Sequence, residues 1–164
     1  MSHLSPGLAR AALLAGAFAV FTPVAASAAP EGPMSAIHAF IDSFDRGDIA
    51  AAQAANEPDV SIIDEFAPHA WHGPGAFQAW LGDLGQEAKA KVQTDQKVTI
   101  GSVVRQQVDG DTAYVVVRVV YTYREHGKPI VEPAQMAVAL RNESGAWKIA
   151  SWAWAGEVPR PARR

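Results

Sequence analysis

From Gln96 to Ala155 the chain reads as four β-prone segments cut by three turn-forming sequences, Asp109-Gly110-Asp111, His126-Gly127-Lys128 and Asn142-Glu143-Ser144-Gly145. In the first segment Val98, Ile100 and Val104 fall in a period-two pattern, and the second is dense in Val and Tyr. Period two belongs to β-strands, because successive side chains point to opposite faces. Gly110 supplies the positive φ that a tight hairpin turn requires. The pattern predicts strands over Gln96–Gln107, Thr112–Arg124, Ile130–Arg141 and Ala146–Ala155. Tight turns join only antiparallel neighbours, so these strands form an antiparallel meander.

Upstream the period is helical. Met34, Ile37, Phe40, Ile41 and Phe44 lie on one face of a helix that Ser35 is placed to cap, with Asp42, Asp45 and Arg46 opposite. Gly47 interrupts it, and Asp48 is placed to cap a second, Ala-rich helix over Ile49–Ala55. Asn56–Asp59 reads as a turn and Val60–Ile63 as a short strand. A loop over Phe66–Gly75 then leads to a helix whose apolar face is Phe77, Trp80, Leu81 and Leu84 and which runs to about Lys91. Helices gathered before a meander predict an α+β domain with the helices packed on one face of the sheet.

The N-terminus has a separate logic. Arg10 precedes the apolar run Ala11–Phe21, and Ala26-Ser27-Ala28 offers the small residues a signal peptidase cleaves after. The run is about half the length that spans a bilayer. Residues 1–28 are therefore expected to be a signal peptide cleaved after Ala28 or Ala29, placing the protein in the periplasm or outside the cell. Residues 29–33 are expected to be a flexible lead, 34–156 the domain, and 157–164 a disordered basic tail. No membrane span is expected once the signal is removed. The chain contains no Cys, which excludes thiol chemistry, Cys-ligated zinc and a lipoprotein anchor. Arg10 is the only charged side chain before Ala29, so the remainder holds 13 basic against 17 acidic residues. That mild acidity provides no electrostatic footprint for nucleic acid.

The order of short motifs resembles the nuclear transport factor 2-like superfamily, within it the SnoaL-like, ketosteroid-isomerase-like branch. The residues that carry the resemblance are Phe40-Ile-Asp-Ser-Phe-Asp-Arg-Gly-Asp48, Pro58-Asp59-Val60-Ser-Ile-Ile63, His72-Gly73-Pro74-Gly75-Ala76-Phe77 and Gly145-Ala-Trp147-Lys148-Ile149. It implies a strongly curved antiparallel sheet wrapped against the N-terminal helices into a cone, a cystatin-like roll, with a pocket inside. The fold hosts isomerases, dehydratases, hydrolases, ligand binders and dimerisation modules, so it does not by itself choose a function.

Asp64 stands where the resemblance places a general base. Abstraction of a proton beside a carbonyl needs a carboxylate against an apolar wall, a role Asp64 or Glu65 can fill. His69 and His72 are the candidate acid–base partners of a dehydratase-type reaction. With Asp64 they would also supply a two-His, one-carboxylate metal set, although Pro68 and Gly73-Pro74 argue against the helical spacing it needs. No metal and no cofactor is expected. Two departures from the branch stand out. Tyr114, Tyr121 and Tyr123 all fall in one strand and none in a helix, whereas the branch takes an enolate-stabilising Tyr from its helical part. Ala150-Ser151-Trp152-Ala153-Trp154 stands where relatives often carry a His. Aromatic bulk there suits an apolar binding cavity. Trp71, Trp80, Tyr121, Tyr123, Met136, Trp152 and Trp154 are its candidate contacts, and a small, largely apolar molecule its candidate occupant. Met136, Val138 and Leu140 alternate with Ala137 and Ala139, so both faces of the third long strand are apolar, and a homodimer through the outer face is expected. Three functions are open at this point: a pocket-type binder, an isomerase- or dehydratase-like enzyme, and a dimerisation module.

Overall fold

The computed structural model describes residues 32–163. The expected signal peptide lies outside the described residues, as does residue 164. Helix α1 is Met34–Asp45, α2 is Ile49–Ala54 and α3 is Ala76–Ala90. Ile37, Phe40 and Ile41 of α1 are buried, as the spacing predicts. Ser35 does not cap α1: Pro33 holds the N-cap position, and the Ser35 hydroxyl donates to the Gly32 carbonyl at 2.7 Å. Asp48 does cap α2, accepting from the Ala51 amide at 3.1 Å. Gly75 begins α3 with a φ of 83°, left-handed backbone that costs a glycine little.

Strand β1 is Asn56–Ile63, β2 Ala70–Trp71, β3 Gln93–Asp109, β4 Thr112–Glu125, β5 Lys128–Glu143, β6 Ala146–Gly156 and β7 Arg160–Pro161. The four long strands stand where the sequence places them, each slightly longer than its apolar pattern. Two corrections concern the N-terminal half. Asn56–Asp59 is extended rather than a turn, because Asn56 pairs with Ile149 and the Ile149 amide donates to the Ala55 carbonyl at 2.9 Å. The loop after β1 contains β2, which folds back on β1 with Trp71 opposite Ile62.

The sheet order is β2-β1-β6-β5-β4-β3, curved and unclosed. All its pairs are antiparallel except β1 with β6, which run parallel. Val115, Val117 and Val119 of β4, Met136, Val138 and Leu140 of β5, and Ile149 and Trp152 of β6 form the concave wall. They pack against Ile37 and Phe40 of α1 and Phe77 and Trp80 of α3 in one hydrophobic cluster.

The tail, expected to be disordered, is instead tied to the sheet. Strand β6 ends at Gly156 opposite Ala134, so β5 has no β6 partner before that point. The tail supplies one: Glu157 donates its amide to the Pro133 carbonyl at 2.8 Å, and Ala162 to the Pro129 carbonyl at 3.0 Å. Between them Pro161 lies opposite Ile130. Backbone polar groups are satisfied this way in preference to a frayed end. Among the described residues no helix is long and apolar enough to cross a membrane.

Candidate active site

A cavity of about 330 Å³ remains between α1, α3 and the concave side of the sheet. Its apolar wall includes Phe40 and Phe44 of α1, Trp80 and Leu84 of α3, Met136 of β5, and Trp152 and Trp154 of β6. Tyr121 and Tyr123 of β4 line it as well, and the backbone after β1 brings in Asp64, Glu65 and Phe66.

Asp64 is held from three sides. Its amide donates to the His69 carbonyl at 3.1 Å, closing the turn that β2 begins. Its carboxylate accepts from the Trp80 indole N–H at 2.9 Å and from the Glu65 amide at 2.7 Å. Burial raises its pKa from 3.8 to about 6, outweighing these two hydrogen bonds, which lower it. A carboxylate of that pKa is mostly ionised at neutral pH yet basic enough to accept a proton from a weakly acidic carbon.

Beside it lies a second acidic feature. Glu132, on β5, is 1% exposed, and its Oε1 accepts from the Trp154 indole N–H at 2.8 Å. Its Oε2 is buried without a hydrogen-bond partner. The Glu65 and Glu132 carboxyls face each other, a contact that carries a hydrogen bond only when a proton lies between the two. Burial first, then the charge of Glu132, pushes Glu65 up to about 7, and burial raises Glu132 as well. The two carboxyls therefore titrate together, and the pair keeps a proton to higher pH than free carboxylates do. Gly156 makes room for it. A Cβ there would overlap the Glu132 carboxylate and stand 2.5 Å from Glu65 Oε2. Burial also raises the Tyr121 hydroxyl, so it remains a neutral donor. The Trp152 indole N–H is buried without an acceptor.

Of the residues singled out in the sequence, Asp64, Trp80, Tyr121, Tyr123, Met136, Trp152 and Trp154 line the cavity together. His69, His72 and Trp71 do not. His69 sits in the turn with a φ of 73°, exposed, its Nδ1 3.3 Å from the main-chain carbonyl of Asp64 rather than from the carboxylate. His72 is exposed as well. Trp71 is buried outside the cavity, its ring 5.1 Å from Phe66 and its indole N–H donating to Asp83 at 2.9 Å. The cause is the unforeseen β2: pairing with β1 turns Trp71 into the core and its neighbours Ala70 and His72 outward. Among the described residues no group of three or more His, Asp or Glu side chains is arranged to hold a metal ion.

Glu132 was the residue sequence reasoning missed, yet it leaves a signal. It has the same parity as Ala134, Met136, Val138 and Leu140, all inward-facing, so an acid occupies a position the alternation reserves for the core. It also lies directly opposite Tyr121 on β4.

Residues 34–154 match the SnoaL-like domain family. No curated protein matches the chain in sequence. Among solved structures, a ketosteroid isomerase-like protein from Erwinia carotovora atroseptica is similar at 22% identity and a TM-score of 0.59, covering 77% of this chain and 95% of that one. The hexachlorocyclohexane dehydrochlorinase LinA-type3 from Novosphingobium barchaimii is similar at 13% identity and a TM-score of 0.66, over 79% of this chain and 86% of that one. A protein described as a putative scytalone dehydratase from Novosphingobium aromaticivorans is similar at 12% identity and a TM-score of 0.63, over 80% and 85%. At these identities the structures share the fold, that of the nuclear transport factor 2-like, ketosteroid-isomerase-like superfamily. With more than two thirds of its length matched, the chain belongs to the SnoaL-like domain family.

Proposed function

We propose that the cavity takes up a small, largely apolar molecule and that Asp64 removes a proton from the carbon beside its carbonyl group. The observation that carries this reading is Asp64 itself: a carboxylate on the wall of an aromatic cavity, pinned by Trp80 and raised by burial to about 6. The proton passes to Asp64, the C–H electron pair forms the new C=C bond, and the carbonyl π pair moves onto oxygen, leaving an enolate. The developing oxyanion has a donor within the same cavity, the neutral Tyr121 hydroxyl. Return of the proton to another carbon is isomerisation, and loss of a leaving group is elimination. The cavity is open to both.

The test uses β-tetralone, an apolar ketone with an acidic C–H, in deuterium oxide. The protein is expected to speed entry of solvent deuterium beside the carbonyl, followed by mass spectrometry. Exchange at the buffer rate, with the ketone shown to bind, would leave a binder without this chemistry.

The outer face of the sheet supports a homodimer. Tyr114 and Val120 of β4 are exposed there, and Ala139, opposite Tyr114, shares the face, as does Ala137 opposite Val116. Sedimentation equilibrium is expected to give twice the chain mass. A Tyr114→Asp, Val120→Asp variant is expected to give a folded monomer, and a wild-type monomer at high concentration would end this part of the proposal. Export is proposed on the strength of residues 1–28. The mass of the protein recovered from a bacterial host is expected to correspond to a chain beginning at Ala29 or Pro30, and an intact N-terminus would contradict it.

A further inference from the structure

The cavity is more acidic than an apolar ligand alone requires. Four carboxyl groups line it: Asp64 and Glu65 after β1, Glu87 on α3 and Glu132 on β5. The lining has one cation, Lys91, whose ammonium is held by Glu87 at 2.7 Å. The remaining titratable lining groups are the neutral hydroxyls of Tyr121 and Tyr123. Aromatic rings surround the acids: the Tyr121 ring stands 4.8 Å from Tyr123 and 6.2 Å, edge-on, from Trp154, whose N–H holds Glu132. Ring faces attract cations and gain nothing from anions. The Glu132 Oε2, buried and lacking a permanent donor, marks the spot where a hydrogen-bond donor is missing.

We propose that the molecule this cavity accepts carries a protonated amine on its apolar body, with the ammonium seated at the Glu65–Glu132 carboxyls beside the rings of Tyr121 and Trp154. This rests on reading the cavity as a ligand site, and not on Asp64 acting as a base. The ammonium supplies the N–H that Glu132 lacks, and it replaces the proton the two carboxyls otherwise share. Both then ionise, and whatever share of that proton the free pair holds leaves for solvent as the amine binds. The sign follows from charge: a cation favours the ionised form of each neighbouring acid.

Two probes of the same shape separate this from a neutral ligand, β-aminotetralin, cationic at neutral pH, and the alcohol β-tetralol. Binding to the full-length folded protein is read by tryptophan fluorescence and calorimetry. The amine is expected to bind at least about tenfold tighter than the alcohol, the scale of a partly desolvated cation–π and carboxylate contact. Its heat is expected to change with the ionisation enthalpy of the buffer, as proton release requires. Glu132→Gln and, separately, Glu65→Gln are expected to bring the two affinities within about threefold of each other, through weaker binding of the amine. Glu65 has solvent access, so its variant carries the test if Glu132→Gln does not fold. Equal affinities in the wild type, or an amine preference that survives both substitutions, overturn the proposal and leave the cavity as a site for neutral molecules. Failure of both probes to bind overturns it together with the binding half of the proposed function.

Discussion

Replacing Trp152 with alanine is expected to cost about 3–5 kcal/mol of folding stability, the range for removing a large aromatic side chain from a packed core. The ring is 3% exposed on a central strand, paired with Val138 on one side and Ile62 on the other. It meets Trp80 edge-on at 5.1 Å and Phe40 at 5.7 Å, so it joins β6 to both long helices. Its N–H has no acceptor, so the loss comes from packing, with no hydrogen bond to subtract. Urea unfolding measures it as a fall in midpoint at unchanged slope. Trp154→Ala is the control. That ring is only partly buried, so its packing loss is expected to be smaller, with the loss of its N–H bond to Glu132 added to it. A loss below about 1 kcal/mol for Trp152 would show that the ring is not the bridge between helices and sheet. Because Trp80 both leans on Trp152 and holds Asp64, the same variant is expected to loosen the candidate base.

Asp64→Asn is expected to reduce deuterium entry into β-tetralone by about 10²–10⁴-fold, the usual share of a positioned general base. The dependence on pH distinguishes this from a structural fault. Asp64 must be ionised to accept a proton, so the wild-type rate is expected to rise with pH through about 6. Asp64→Asn is expected to remove this rise. An unchanged rate in this variant would eliminate Asp64 as the base. The raised pKa has a counterpart in stability. The folded state keeps the Asp64 proton up to about 6, whereas the unfolded chain releases it near 3.8. Stability from this group is therefore complete in acid and is lost as pH rises through about 6. Asp64→Asn cannot titrate, so its unfolding free energy is expected to vary less over that interval.

These two residues also show how unevenly the sequence exposes its own design. Trp152 was legible as a pocket or core residue because it lies in the strand that an Asn-Glu-Ser-Gly turn opens and the Trp-Lys-Ile motif marks. Asp64 was legible because it ends an apolar run. The pairing of Glu65 with Glu132 was not, since 66 positions separate the residues Glu65 and Glu132 along the chain and only the curvature of β5 toward the end of β1 brings them together. His69 and His72 illustrate the opposite error. Chemistry-bearing residue types close to Asp64 in sequence suggest its site, but a two-residue strand with almost no periodic trace turns His72 to solvent, and the positive-φ turn before it leaves His69 exposed.

Local patterning, then, decided which segments are helices and strands, and where the long hairpins turn. Both follow from side-chain periodicity and from backbone angles that a few residues satisfy by themselves. The parallel joining of β1 to β6, the docking of the tail against β5, and the gathering of four acids around the cavity were settled only in three dimensions. Each depends on which surfaces meet once the apolar faces are buried. Contacts between distant segments are chosen by shape and by unsatisfied hydrogen bonds, which no short stretch of chain contains.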